Sequence, residues 1–109
     1  MPKPSDLLQG TLDLLILKTI SRKPLHGWGI AKRIQMLSGD TLSVGQGSLY
    51  PALHRLIKRG WITFDHGTSD NNRQAKFYRL TPKGRKQLSV ETTKWEKLVR
   101  AVSSILRPA

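Results

Sequence analysis

The chain has 109 residues and carries 19 Lys and Arg against 7 Asp and Glu, which gives a formal net charge of +12. This length allows one domain with a single modest core and excludes a second independent core, and 38% hydrophobic with 24% charged residues is typical of a globular chain. The absence of Cys excludes disulfides, thiolate metal sites and Cys nucleophiles, while the surplus of cations predicts a polyanionic partner.

The N-terminal part of the chain predicts a first helix over about residues 5–22. Ser5 or Asp6 is a suitable N-cap, and Pro24 is expected to end the helix. Its apolar residues cover most of the helix circumference: Leu7, Leu8, Leu12, Leu14, Leu15, Ile16, Leu17 and Ile20. A helix of this kind is buried on more than one side, so we expect it to contact both its own domain and something else.

A second helix is predicted from about Gly27. Its apolar positions recur at helical spacing: Ile30, Ile34 and Leu37. Lys32 and Arg33 then face solvent. Residues 38–40, Ser-Gly-Asp, are expected to close this helix, and residues 41–44 are too short to be more than an extended connector.

The third predicted helix, from Gly45 to Gly60, has two contrasting faces. The apolar face is expected to point inward: Leu49, Ala52, Leu53 and Leu56. The opposite face is small and then basic: Gly47, Pro51, His54 and Lys58. Tyr50 and Arg55 lie on the flanks. Pro51 is energetically awkward, because a proline inside a helix costs about 3 kcal/mol and is tolerable only near the helix start.

A β-hairpin and a long helix follow. Two strands are predicted, over residues 61–64 and Ala75–Leu80, with a polar loop over residues 67–74 between them. Thr81 and Pro82 are typical of an N-cap followed by the first helical residue. The last helix then continues to about Arg107.

This last helix predicts a homodimer. Some 26 residues make a helix about 39 Å long, more than so small a domain covers, and its apolar residues repeat by seven. A second copy of the chain is therefore expected to cover the stripe. The predicted dimer interface comprises Leu8, Leu12, Leu88, Trp95, Leu98, Val99, Val102, Ile105 and Leu106.

The order of elements (helix, helix, connector, helix, hairpin) is that of a winged helix-turn-helix, in which the third helix docks in the DNA major groove and the hairpin forms the wing. The predicted fold class is mainly α with a small β-hairpin. Residues 1–81 are assigned to the winged helix-turn-helix domain, and residues 82–109 to a C-terminal dimerisation helix.

A family resemblance extends from His26 to Arg85. It is carried by His26-Gly27-Trp28, Ile30-Ala31-Lys32-Arg33-Ile34, Gly47-Ser48-Leu49-Tyr50-Pro51-Ala52-Leu53-His54-Arg55-Leu56, Gly60-Trp61-Ile62, Arg73, Lys76-Phe77-Tyr78-Arg79-Leu80-Thr81 and Gly84-Arg85. In these segments the chain resembles the PadR family of bacterial transcription regulators, and the Leu-Tyr-Pro-Ala-Leu run, with its unusual proline, is the most specific. The pattern departs from the common one at Gly29 and Gln46.

The resemblance implies a homodimer built on the C-terminal helix, usually a repressor, that binds an inverted repeat. With a single C-terminal helix the chain is similar to the short members of the family. Some relatives bind flat aromatic compounds between their subunits. Trp95 therefore has two interpretations, as a packing residue of the dimer or as a contact for a small aromatic effector.

The predicted DNA contacts fall into three groups. Residues near the start of the third helix are expected to read bases, residues further along to bind phosphates, and the wing to approach the backbone or minor groove. With two clamps on the second helix, the set is Gln46, Ser48, Tyr50, His54, Arg55, Lys58, Asn72, Arg73, Lys76, Lys32 and Arg33. Tyr50 could instead pack between helices, and Trp28 and Trp61 are expected to be core or core-edge residues.

Three other functions are weighed against a sequence-specific regulator. A basic architectural or RNA-binding module would explain the charge alone, but it needs no Gln and Ser at a helix start. The hypothesis of an enzyme has little support, since the sequence offers no set of nucleophile, general base and general acid. An adaptor that uses the last helix would form hetero-oligomers.

No cofactor, metal or membrane association is expected. The three His have no acidic or His partners at ligand spacing, no apolar run approaches a membrane span, and the first residues lack the pattern of a secretory signal. We therefore expect a cytoplasmic protein.

Overall fold

The computed structural model describes residues 9–107, in which four helices and one antiparallel hairpin follow one another along the chain. The elements are α1 (Gln9–Thr19), α2 (Gly27–Leu37), α3 (Gln46–Lys58), β1 (Ile62–Thr68), β2 (Gln74–Leu80) and α4 (Pro82–Leu106). This confirms the predicted fold class, a mainly α protein with a small hairpin in the order of a winged helix-turn-helix.

Helix α1 forms the centre of the core, because it packs against α2, α3 and α4. Ile16 and Leu17 are fully buried, and Leu12 is 4% exposed. The chain's own helices thus cover much of the apolar surface of α1, whereas Leu14 is only half-buried. Leu12 has no surface to offer a second chain, so its predicted place in the dimer interface is corrected to the core. Leu8 and the predicted caps Ser5 and Asp6 lie outside the described residues.

Helix α2 begins at a side-chain cap, where the His26 Nδ1 accepts a hydrogen bond from the Gly29 N–H at 3.0 Å. Ile30 and Ile34 are buried as predicted, but Leu37 is 69% exposed. The helix ends at Leu37, and the Gly39-Asp40 pair that follows has left-handed φ angles of 59° and 63°.

Helix α3 has the predicted two faces. Its buried residues are Leu49, Ala52, Leu53 and Leu56, and its exposed ones include Gly47, Pro51, His54 and Lys58. Gly45 is the N-cap, and Gly60, at φ 75°, follows the helix end in the left-handed conformation that an L side chain rarely adopts.

The hairpin pairs β1 with β2 from Ile62 opposite Leu80 to Thr68 opposite Gln74. Strand β1 is longer than the predicted residues 61–64. A short bridge adds the start of α2 to this hairpin: the Leu25 N–H donates to the Tyr78 carbonyl at 3.1 Å, and the Tyr78 N–H donates back at 2.9 Å. The hairpin is therefore tied directly to the segment that leads into α2.

Helix α4 starts at a tight junction with the end of α3. The Thr81 Oγ1 accepts from the Gly84 N–H at 3.0 Å and donates to the Gly60 carbonyl at 2.6 Å. Gly84 is buried, and a Cβ there would collide with the Trp61 carbonyl oxygen. As predicted, Thr81 is the N-cap and Pro82 the first helical residue.

The 25 residues of α4 span about 37 Å. The helix packs on α1 and β2 near its start, and most of its side chains beyond Thr92 are exposed. Within residues 9–107, no helix combines the length and apolar character that a membrane span requires.

Candidate nucleic-acid interface

The exposed face of α3 is small at its beginning and cationic at its end. Gln46 is the first helical residue and is exposed, and Gly47 and Pro51 follow on the outer side. Lys58 occupies the last turn. Helix α3 contains no acidic residue, so nothing on it repels a phosphate backbone. Its N-terminal turn carries little side-chain bulk, which allows a close approach to the edges of bases.

An open groove of about 1010 Å³ separates α3 from the hairpin. It brings together five of the predicted DNA contacts, from three different elements: Lys32, Tyr50, His54, Arg73 and Lys76. Its floor is apolar and includes Leu53, Ile57 and Phe64. Residues far apart in the chain thus form one continuous, predominantly cationic surface.

A smaller groove of about 380 Å³ lies between α2 and the start of α3. It is lined by Gln46 and again by Lys32 and Tyr50, so these two residues border both grooves. The other predicted contacts, Ser48, Arg33, Lys58, Arg55 and Asn72, line neither groove. Ser48 and Arg33 are half-buried, whereas Lys58 and Asn72 are exposed, Asn72 within the hairpin loop at φ 60°.

Arg55 is held in an ion pair inside the protein. Its Nη2 lies 2.9 Å from the Asp13 Oδ1, and the Arg59 Nη1 lies 3.6 Å from the Asp13 Oδ2. The Asp13 side chain is only 8% exposed, and the Arg55 Nε is buried with no hydrogen-bond partner. The guanidinium that sequence reasoning assigned to a phosphate is therefore engaged between α3 and α1.

Sequence reasoning missed this ion pair. The signal that could have found it is Asp13 itself, a lone carboxylate on a helix apolar on most sides. A buried carboxylate needs a cation or hydrogen-bond donors to offset its desolvation, so a partner from another element could have been inferred, although not identified.

Trp28 was expected to be a core or core-edge residue. This expectation is wrong, because the side chain is 64% exposed. It follows the buried Gly27, and one residue along a helix turns a side chain about 100° around the axis. The Lys32 Nζ lies 4.6 Å from the centre of the indole ring, and the His26 ring is 6.2 Å away. Trp61, by contrast, is half-buried at the core edge.

Tyr50 packs between helices, as one of its two predicted interpretations expects, while its contact with DNA stays a prediction. Its ring packs against the first turn of α2, where a Cβ at Gly27 would come within 2.8 Å of the Tyr50 hydroxyl oxygen, yet the residue is 41% exposed. Tyr78 lies at the base of the same groove, and its burial, with a smaller contribution from Tyr50, raises the pKa of its phenol above 10.0.

The apolar stripe on α4 is exposed in the single chain. Trp95 is 42% exposed, Leu98 52% and Val102 44%, and Val99 is similar. Ile105 and Leu106 are more exposed still, whereas Leu88 packs against the core. The predicted interface residues of α4 therefore lie on a surface that the chain's own core leaves uncovered after Leu88.

Among residues 9–107, no group of three or more His, Asp or Glu side chains is arranged to hold a metal ion.

Comparisons with known proteins agree with this architecture. Residues 16–90 match the model of the transcriptional regulator PadR-like family. A transcriptional regulator of Mycobacterium tuberculosis is 36% identical over 89 residues, which is 82% of this chain and 79% of the relative.

Two solved structures share the fold. A transcriptional regulator from Clostridium thermocellum has a TM-score of 0.84 at 26% identity, covering 94% of this chain and 100% of that one. A PadR-like transcriptional regulator from Bacillus cereus has a TM-score of 0.80 at 28% identity, covering 96% of this chain and 100% of the other.

Proposed function

Because this chain belongs to the PadR-like family of transcriptional regulators, we propose that it represses transcription by binding an inverted-repeat operator as a homodimer. The family consists of regulators and not of enzymes, and DNA binding follows from that membership. The proposals for the operator geometry, the dimer and the effector each rest on a particular surface of the chain.

The observation that carries the proposal is the continuous surface formed by α3, the start of α2 and the hairpin. The exposed start of α3 enters the major groove with Gln46 positioned to read bases, since a Gln amide can bond adenine with two hydrogen bonds. Lys58 and His54 bind phosphates further along the helix. Arg73 and Lys76 of the hairpin bind the backbone or minor groove beside them.

The apolar stripe of α4 supports the dimer. Leu98 and Ile105 are seven residues apart, as are Val99 and Leu106, so the four side chains form one seam along the helix. A second α4 is the complementary surface, because its side chains carry the same seam. A symmetric dimer presents two copies of α3 related by a twofold axis, and such an arrangement recognises an inverted repeat.

Repression requires only that the dimer occupy promoter DNA. The DNA-binding surface and the apolar stripe of α4 would together be sufficient for this. A small aromatic effector would act at Trp95, since its half-exposed indole lies on the same stripe as the dimer seam. A flat compound stacked on this ring changes how the two helices pack and so releases the operator. Calorimetric titration of the dimer with aromatic compounds, compared with Trp95→Ala, tests this part separately.

The central experiment is selection of binding sites from random double-stranded DNA by the purified protein. We expect two half-sites in inverted orientation, separated centre to centre by about 10 base pairs or a multiple of one turn. With Gln46→Ala, the preference at one or two positions of each half-site should disappear while the spacing stays the same.

Gln87→Ala is the matched control, because Gln87 lies on α4 and its amide donates to Glu91 at 2.8 Å. It should select the same sites as the wild-type protein. Recovery of unselected sequences by the wild type would instead favour a non-specific architectural protein. Identical sites for the wild type and Gln46→Ala would exclude Gln46 as a base reader.

A further inference from the structure

Trp28 is a large apolar side chain that the core does not use. At 64% it is the most exposed Trp of the chain, and it sits in the first turn of α2. Exposing an indole to water forgoes the burial of a large apolar area, which is costly unless another surface covers it. Trp28 therefore calls for a partner outside the chain.

The segment that leads into Trp28 is held by contacts on three sides. His26 caps α2 and meets the edge of Phe77, with ring centres 5.5 Å apart. The bridge between Leu25 and Tyr78 joins this segment to the hairpin. Tyr50 packs against the Gly27 backbone, so α3 holds the same turn from the other side.

The surroundings of Trp28 identify the kind of partner. Trp28 lines both grooves, so it stands on the rim that they share. Lys32 also lines both, and its ammonium lies over the indole. The one carboxylate lining the larger groove is Asp70, and the smaller groove has none, against the cations Lys32, Arg73 and Lys76.

We propose that Trp28 and Lys32 form a second DNA contact, in which the indole packs on a deoxyribose of one strand and the Lys32 ammonium pairs with an adjacent phosphate. The inference rests on the proposed function, because it places the duplex on α3. It extends the footprint beyond α3 to the start of α2. A sugar offers an apolar face to the indole, and its phosphates offer the negative charge that Lys32 requires.

Trp28 and Lys32 contribute to DNA binding in different ways, so their substitutions should differ in how they change the salt dependence of binding. An apolar contact releases no counterion, so Trp28→Ala should weaken operator binding without changing its dependence on salt. Loss of the Lys32 contact should weaken binding and also lower the slope of log K against log salt by about one. Trp28→Phe, which keeps an aromatic ring, should recover part of the affinity.

The test is fluorescence anisotropy of a labelled operator duplex, chosen by the selection described above, at several salt concentrations. We expect Trp28→Ala to raise Kd about tenfold, equivalent to about 1.4 kcal/mol. Leu37→Ala is the matched control, since Leu37 is equally exposed on the same helix but lines neither groove. Its Kd should equal that of the wild type. An unchanged Kd for Trp28→Ala would overturn the proposal.

A spectroscopic measurement provides a second readout that does not depend on affinity. Replacing Trp61 and Trp95 by Phe leaves Trp28 as the sole Trp of the chain. Operator DNA should then protect its emission from quenching by acrylamide, and full accessibility in the complex would also overturn the inference. If the wild type binds every duplex equally, the proposed sequence-specific function is wrong. The Trp28 contact is then still tested by the same quenching measurement on the non-specific complex.

Discussion

The ion pair between Asp13 and α3 allows a sharp test of how burial sets the strength of an electrostatic contact. Asp13→Asn removes one charge and keeps the shape of the side chain. The chain offers a matched control in Asp65→Asn, because the Arg79 Nε lies 2.8 Å from the Asp65 carboxylate, almost the same distance as in the buried pair. Both substitutions change the net charge by the same one unit.

The two pairs differ in exposure. Asp13 is 8% exposed and Arg55 26%, whereas Asp65 is 63% and Arg79 47% exposed. Breaking a buried pair costs roughly 3–5 kcal/mol because the remaining charge is left uncompensated. Water reaches part of Arg55 and half of Arg59, so we expect the lower end, about 3 kcal/mol for Asp13→Asn. The exposed pair should contribute less than about 1 kcal/mol.

The assay is urea denaturation followed by far-UV circular dichroism, at one fixed protein concentration, because the stability of a dimer depends on concentration. The slope of the unfolding free energy with urea should be the same for the three proteins, so that the midpoints report stability. Equal losses for Asp13→Asn and Asp65→Asn, or no loss for either, would refute the argument from burial.

Three further outcomes are expected. Arg73→Ala should weaken binding to all duplexes and lower the salt slope by about one, measured by anisotropy. Gly84→Ala should lower the unfolding free energy by about 3 kcal/mol, because the added Cβ meets the Trp61 carbonyl. Replacing Leu98 and Val102 by Asp should convert the proposed dimer to monomers in analytical ultracentrifugation, since the apolar stripe of α4 would carry buried charges.

Each of these has a control within the chain. Lys86→Ala removes an exposed cation of α4 that lines neither groove and should leave the salt slope unchanged. A Cβ at Gly47 meets nothing within 4 Å, so Gly47→Ala should not lower stability. Ser104→Asp places a charge at an exposed position off the α4 seam and should leave the dimer intact. A monomeric Ser104→Asp, or a dimeric double variant, would contradict the interface.

The helices and the hairpin could be predicted because local signals decide them. Leu49, Leu53 and Leu56 recur at helical spacing and are buried, and Thr81 with Pro82 marks the start of α4. These signals act over a few residues, so they survive without knowledge of the tertiary structure.

The remaining features depend on contacts distant in sequence. Asp13 and Arg55 are 42 residues apart, and no local pattern pairs them. Strand β1 continues through Asp65 and Gly67, which are poor strand formers, because the register places them opposite β2. For the candidate interface, exposed α3 residues could be named from the helical spacing, but the grooves that join them to Lys32 and Arg73 arise from three-dimensional packing.

The junction between α3 and α4 gives the molecule a rigid joint. The Thr81 hydroxyl donates a hydrogen bond to the Gly60 carbonyl, and the Thr81 backbone N–H donates one to the Trp61 carbonyl at 3.1 Å. Gly84 packs so closely against the Trp61 carbonyl that no Cβ fits between them. This junction couples the orientation of each α4 to that of the α3 in the same chain. In the proposed dimer, we expect a small change in the crossing angle of the two α4 helices to alter the separation of the two α3 helices, and so to change operator affinity from a distance.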